Sequence, residues 1–223
     1  MAPLPVLLIC GLYLTPRMYA DQLPELWRFG PVTVADHTRD DDLDALAERI
    51  LADAPPRFAL AGLSMGGYLA LSILRQAPQR VDRVALMDTA ATPDAEEQTA
   101  LRRAAIELLR EERFDEVVDE VFPRLVHPSR AGDPGLRALQ LDMLRATGAE
   151  AAIRQQTAII HRPDARPGLA DVDVPALVLV GDSDRITPPE RAAELVAGIA
   201  GARLVTVPAC GHLSTLERPE AVT

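Results

Sequence analysis

The sequence predicts an α/β protein: a mostly parallel, doubly wound sheet carrying one inserted block of helices. Three observations lead there. Short apolar runs recur without polar alternation, which is the pattern of strands covered by helices on both faces. Most intervals between these runs show helical periodicity, giving a βαβ series with right-handed crossovers. One interval, from Thr92 to about Gly168, is far longer than a single crossover helix needs and holds no convincing strand.

The first strand is "PVLLICGL" at 5–12. The overlapping stretch "VLLICGLYL" at 6–14 is apolar enough for a signal peptide, but no Lys or Arg precedes it and no small-residue cleavage pattern follows closely, so it reads as a buried strand. Thr15 followed by Pro16 fits an N-cap and first-turn pair for a helix through Trp27. "VTVAD" at 32–36 is the second strand. Leu43, Leu46, Ala47, Ile50 and Leu51 then form a helical stripe behind three aspartates at 40–42, whose charge suits a helix N-terminus. "FALAGLS" at 58–64 and "RVALMDT" at 83–89 are the next strands. The insertion includes the charge-rich helical pattern "LRRAAIELLREERFDEVVDEVF" and a loop, "PSRAGDPG", at 128–135. "ALVLVGD" at 176–182 and "RLVTVPAC" at 203–210 complete the sheet. Residues 1–91 and 169–223 therefore form the expected core, and 92–168 an expected helical lid.

Charge and composition exclude several classes of partner. A formal net charge of -10 argues against nucleic acid or an anionic membrane as the main partner, since phosphate needs a basic patch. No apolar run is long enough to cross a bilayer. Cys10 and Cys210 are too few for a disulfide framework and lack metal-ligand spacing, which predicts reduced thiols and a cytoplasmic protein. All 23 basic residues are arginine, a coding bias without mechanistic weight.

The chemistry centres on "GLSMGG" at 62–67, where a strand ends and a helix begins. Glycines around Ser64 would relieve crowding at a strained turn and leave its hydroxyl exposed as a nucleophile. A serine hydroxyl needs a base at neutral pH. Of His37, His127, His161 and His212, only His212 has a full context, following the last strand in "ACGHLSTLERPE" with Gly211 beside it. His37 follows the second strand and could reach the same sheet edge, but reads as a helix-entry or exposed residue; His127 and His161 fall in the lid region. The base in turn needs a carboxylate to hold its tautomer. "VLVGDSDRITPPE" offers Asp184, with loop freedom to turn towards His212, and Asp182, which reads as a turn residue bonding its own backbone; Asp88, ending "RVALMD", is the rival acid. Backbone N–H groups at Met65, after the nucleophile, and at Leu12, after Gly11, are the expected oxyanion donors.

These motifs, in the order Ser64, Asp184, His212, resemble the α/β-hydrolase superfamily, in particular its small esterase and 3-oxoadipate enol-lactonase-like members. The resemblance extends to "HRPDARPGLADVDVPALVLVGD", similar to the lid exit of the lactonase-like proteins, and covers nearly the whole chain. It implies an α/β-hydrolase fold, a Ser64–Asp184–His212 triad, Leu12 and Met65 as oxyanion donors, and no metal or organic cofactor. Departures are Cys10–Gly11 where the family usually has His-Gly, the absence of the two strands that often open the fold, and an end at "PEAVT" where a closing helix is expected.

The function expected is hydrolysis of a small carboxylic ester or lactone through an acyl-enzyme. Acyl transfer or perhydrolysis on the same triad, and a receptor-like member with little turnover, are the alternatives. The expected pocket is small to medium, lined by Leu12, Met65, Phe122, Leu125 and Val126, with Arg124, Arg162 and Arg166 available to an anionic substrate.

Overall fold

A computed structural model describes residues 3–223. Six strands, β1 (Val6–Ile9), β2 (Val32–Val34), β3 (Phe58–Leu63), β4 (Val81–Met87), β5 (Ala176–Gly181) and β6 (Arg203–Val207), form one sheet in the order β2-β1-β3-β4-β5-β6, every pair parallel. All six lie within the apolar runs of the sequence except β4, which begins two residues earlier, at Val81. Their side chains alternate between two cores: Leu7 and Ile9 enter one, Val6 and Leu8 the other. That two-sided burial explains why β1 shows no polar alternation.

Among the described residues ten α-helices surround the sheet: α1 (Leu23–Leu26), α2 (Leu43–Asp53), α3 (Met65–Gln76), α4 (Glu96–Arg110), α5 (Phe114–Leu125), α6 (Pro134–Thr147), α7 (Ala149–Ile160), α8 (Pro189–Gly198), α9 (Ser214–Glu217) and α10 (Pro219–Val222). The apolar stripes of α2, α3 and α8 fill one core, and α5, α6 and the segment around Tyr19 fill the other. Helix α2 starts as its sequence suggests, with Asp42 Oδ1 accepting the N–H groups of Asp44 (2.9 Å) and Ala45 (3.0 Å).

The helix expected from Thr15 through Trp27 is broken. The chain makes a 3-10 turn at Pro16–Tyr19, then the four-residue α1, and the Thr15 side chain caps neither. Pro24 supplies the reason, because it has no N–H to continue a helix and its ring crowds the preceding turn. Between β4 and β5 the chain runs through α4–α7 without a strand.

Chain direction reverses its spread at β1: β2 lies on one side of it and β3 on the other. In open parallel sheets that reversal opens a crevice at the carboxyl ends of the strands. Leu12 follows β1 and Ser64 follows β3, so both stand at that crevice.

Candidate active site

Ser64 sits between the last residue of β3 and the first of α3, with φ 56° and ψ -115°. A non-glycine residue holds such a conformation only when its surroundings impose it. Here the Ser64 N–H donates to the Met87 carbonyl (2.9 Å), and its own carbonyl accepts from the Gly67 N–H (2.8 Å) and the Thr89 hydroxyl (2.8 Å). The flanking glycines are needed for close approach: a Cβ on Gly62 would fall inside the Gly66 carbonyl, one on Gly66 inside the Ile9 carbonyl, and one on Gly67 inside the Thr89 side chain. Gly66→Ala should therefore push α3 away from β1 and lower the unfolding free energy by about 1–3 kcal/mol. A urea midpoint unchanged from wild type would refute this.

Ser64 Oγ lies 2.8 Å from His212 Nε2, and His212 Nδ1–H donates to Asp184 Oδ2 at 2.7 Å. His212 is 2% exposed and Asp184 3%. Asp184 collects further donors: the N–H groups of Ile186 (2.8 Å) and Thr187 (3.0 Å) on Oδ1, and the Thr187 hydroxyl (2.9 Å) on Oδ2. Burial works against its charge, but the facing His212 and these donors outweigh burial and hold the carboxyl below its usual range. Burial likewise disfavours the imidazolium of His212, and the Asp184 carboxylate outweighs it, raising the histidine above its ordinary 6.5. Such a chain can take the Oγ proton onto Nε2 while Asp184 steadies the charge that forms.

Asp88, at φ 43°, is fully buried beside the same cluster. Its Oδ1 accepts the Gly181 N–H (3.0 Å), and Oδ2 has no partner among the described residues. Burial and the neighbouring Asp184 push it up to about 7. It makes no hydrogen bond to His212, so geometry separates the two carboxylates that the sequence leaves as rivals.

The loop bearing His212 is fastened from three directions. The His212 N–H donates to the Leu125 carbonyl at the end of α5 (2.7 Å). Asp182 accepts the N–H groups of Ala209 (2.9 Å) and Cys210 (3.2 Å) from this distant loop, together with the hydroxyl of the neighbouring Ser183 (2.9 Å). Glu217, 4% exposed, accepts the N–H groups of Gly211 (2.8 Å) and His127 (2.8 Å). Sequence alone assigns Glu217 no role, although it lies within the histidine-loop motif "ACGHLSTLERPE". Its place in α9, directly after the histidine, is the one clue.

A cavity of about 160 Å³ opens over Ser64 and His212, bounded by Leu12, Leu125, Val121, Ile186 and Leu213, with Arg124 at its edge. Phe122 and Val126 lie in the core behind it, because helical spacing turns Val121 and Leu125 to the cavity and Phe122 away. Met65 is fully buried beneath the elbow. Among the described residues, neither the Leu12 nor the Met65 N–H donates to a protein acceptor.

The remaining candidates stand elsewhere. Arg162 is buried against Asp94 (2.8 Å) and over the Tyr68 ring (4.3 Å), and it lines a separate cavity rather than the one over Ser64. Arg166 is exposed and pairs with Asp164. His161 is exposed, and His127 caps the turn at Pro128–Arg130. His37 departs from expectation: it is 3% exposed and its Nε2 lies 3.2 Å from the Gly11 carbonyl oxygen, because the end of β2 tucks beneath the loop after β1. A larger cavity of about 490 Å³, on the other side of Tyr68, has no histidine in its lining. Both cysteines are free and buried; burial pushes the Cys10 thiol up to about 12. No helix among the described residues is long and apolar enough to cross a membrane.

A six-stranded parallel sheet that brings a serine elbow, a buried histidine and a carboxylate to one crevice defines a hydrolytic enzyme of the α/β type. Residues 6–223 match the model of the alpha/beta hydrolase family, and the chain belongs to that family. It is 28% identical over 230 residues to a pimeloyl-(acyl-carrier protein) methyl ester esterase of Neisseria meningitidis serogroup B, covering 97% of this chain and 88% of that one. Among solved structures it is similar to a thermophilic esterase from Thermogutta terrifontis, at 30% identity and TM-score 0.86 over 98% of this chain and 86% of that one. It is also similar to the enol-lactonase from Burkholderia xenovorans, at 28% identity and TM-score 0.88 over 100% of this chain and 89% of that one.

Proposed function

We propose that the protein is a serine hydrolase acting on a small carboxylic ester or lactone. The observation that carries this reading is the unbroken chain from Ser64 Oγ through His212 (2.8 Å) to Asp184 (2.7 Å), opening on a cavity of mixed lining in which apolar side chains such as Leu12, Val121 and Leu125 join polar ones such as Arg102 and Glu120. His212 Nε2 takes the hydroxyl proton as Oγ attacks the substrate carbonyl. The tetrahedral oxyanion is received by the N–H groups of Leu12 and Met65. His212 returns the proton to the departing alkoxide as the ester C–O bond breaks, leaving an acyl group on Ser64. Water, deprotonated by His212, then releases the acid and restores the serine. The esterase and enol-lactonase relatives support the ester or lactone class. A cavity of about 160 Å³ suits a short acyl group. We read α4–α7, within residues 92–168, as a lid, since α5 supplies cavity wall and also the Leu125 carbonyl that holds His212. The free, buried thiols suit a reducing compartment, and we read the enzyme as cytoplasmic.

A fluorophosphonate probe tests the reading directly. Label is expected on Ser64 and absent in His212→Ala. Because only neutral His212 can accept the proton, and its pKa is raised above 6.5, the labelling rate should climb with pH through a midpoint above 6.5. Label on another residue, or a rate independent of pH between 5 and 9, would defeat it.

A further inference from the structure

We propose that His37 is a positioning residue for the oxyanion site, its buried imidazole aiming the Leu12 N–H at the cavity by holding the Gly11 carbonyl. The inference rests on the reading of Leu12 as an oxyanion donor. The Gly11 carbonyl and the Leu12 N–H are the two ends of one planar peptide unit. No described peptide bond is cis, so the two groups point in opposite directions and fixing one aims the other. The Gly11 oxygen accepts from the Leu14 N–H (3.1 Å) and lies 3.2 Å from His37 Nε2. The bond from Leu14 closes a turn within the loop and would move with it. His37 stands beyond the end of β2 and ties that turn to the sheet.

Two properties suit His37 to this role. A carbonyl oxygen only accepts, so Nε2 must carry the hydrogen. Burial disfavours the imidazolium more than the Gly11 carbonyl and Asp36 favour it, so the ring stays a neutral donor. A donor on the carbonyl also polarises the peptide and strengthens its N–H.

The loop needs outside support, because Tyr13, next in the chain, is held at φ 65°. Gln155 of α7, fully buried, supplies a second tie. Its Oε1 accepts the Tyr13 N–H (3.1 Å) and its Nε2 donates to the His37 carbonyl (3.4 Å). Leu12 thus lies between two peptide groups anchored on separate elements.

The experiment compares His37→Gln with His37→Asn. Both are amides, but the longer glutamine can return a donor to the Gly11 carbonyl and the shorter asparagine cannot. With p-nitrophenyl acetate, His37→Asn should lose about 10- to 100-fold in kcat with KM within about threefold of wild type. Inhibition by a short-chain trifluoromethyl ketone, which forms a tetrahedral adduct on the serine, should weaken by the same factor as kcat/KM. His37→Gln should stay within about threefold on all three readings. His37→Leu, similar in size and without a donor, should behave as asparagine does and keeps the comparison open if one variant fails to fold. Equal kcat in the asparagine and glutamine variants, or a loss confined to KM or to melting temperature, would overturn the proposal. Ser64→Ala run alongside separates the two failures: activity surviving that change sinks the serine-hydrolase reading, whereas activity lost there but retained in His37→Asn sinks only the role of His37.

Discussion

Ser64→Ala is expected to lower kcat for a short-chain ester by about 10⁵-fold or more while leaving the fold intact. The two halves of that expectation have separate grounds. Among the described residues the Ser64 hydroxyl hydrogen-bonds His212 Nε2 alone, so removing it breaks no structural tie. The elbow itself is held by backbone bonds to Met87 and Gly67 and by Thr89, which alanine leaves in place. Residual binding should persist, because the cavity walls and the N–H groups of Leu12 and Met65 are untouched. Turnover of p-nitrophenyl acetate with matched thermal unfolding curves checks both halves. Loss of less than about tenfold would mean that another group attacks the ester.

Asp184→Asn should cost about 10⁴-fold in kcat near neutral pH. An asparagine can present its NH₂ to His212 Nδ1, which favours the tautomer with hydrogen on Nε2 and removes the base facing Ser64. Burial of His212 would then be opposed by Asp88 alone, without the hydrogen-bonded Asp184 carboxylate, so its pKa should fall from its raised position. The acid limb of the pH–rate profile should move to lower pH as the plateau collapses. Asp88→Asn is the matched control. Asp88 carries a pKa near 7 and bonds the Gly181 N–H, without reaching His212, so its amide should stay within about tenfold of wild type. Equal losses in the two variants would show that the carboxylates act as one unit.

Those two carboxylates show where reading along the chain stops. Asp88 and Asp184 both follow strands that end at the same sheet edge, and the sequence prefers Asp184 only on the freedom of its loop. Asp184 reaches His212 because the turn after β5 donates the N–H groups of Ile186 and Thr187 to its Oδ1, leaving Oδ2 for the imidazole. Asp88, held at φ 43°, has its Oδ1 taken by Gly181. Phe122 and Leu125 teach the same lesson on α5, where an apolar sequence names a buried face without saying which positions border a cavity. The burial of His37 is hidden from the sequence for a related reason. A lone histidine after an acidic residue looks solvated until the loop from β1 is laid over it.

The succession of strands along the chain, the glycine-flanked Ser64 and the loop bearing His212 were each legible, because each motif is written within about ten residues. Apolar runs encode two-sided burial, glycines encode close approach, and a serine between strand and helix encodes an exposed hydroxyl. The supports of the site are another matter: Gln155 meets a peptide 142 positions away at Tyr13, and Asp182 meets Ala209 and Cys210 across 27 and 28 positions. A hydrogen bond depends on tenths of an ångström and tens of degrees, and those are set by sheet register and helix packing that no local pattern contains.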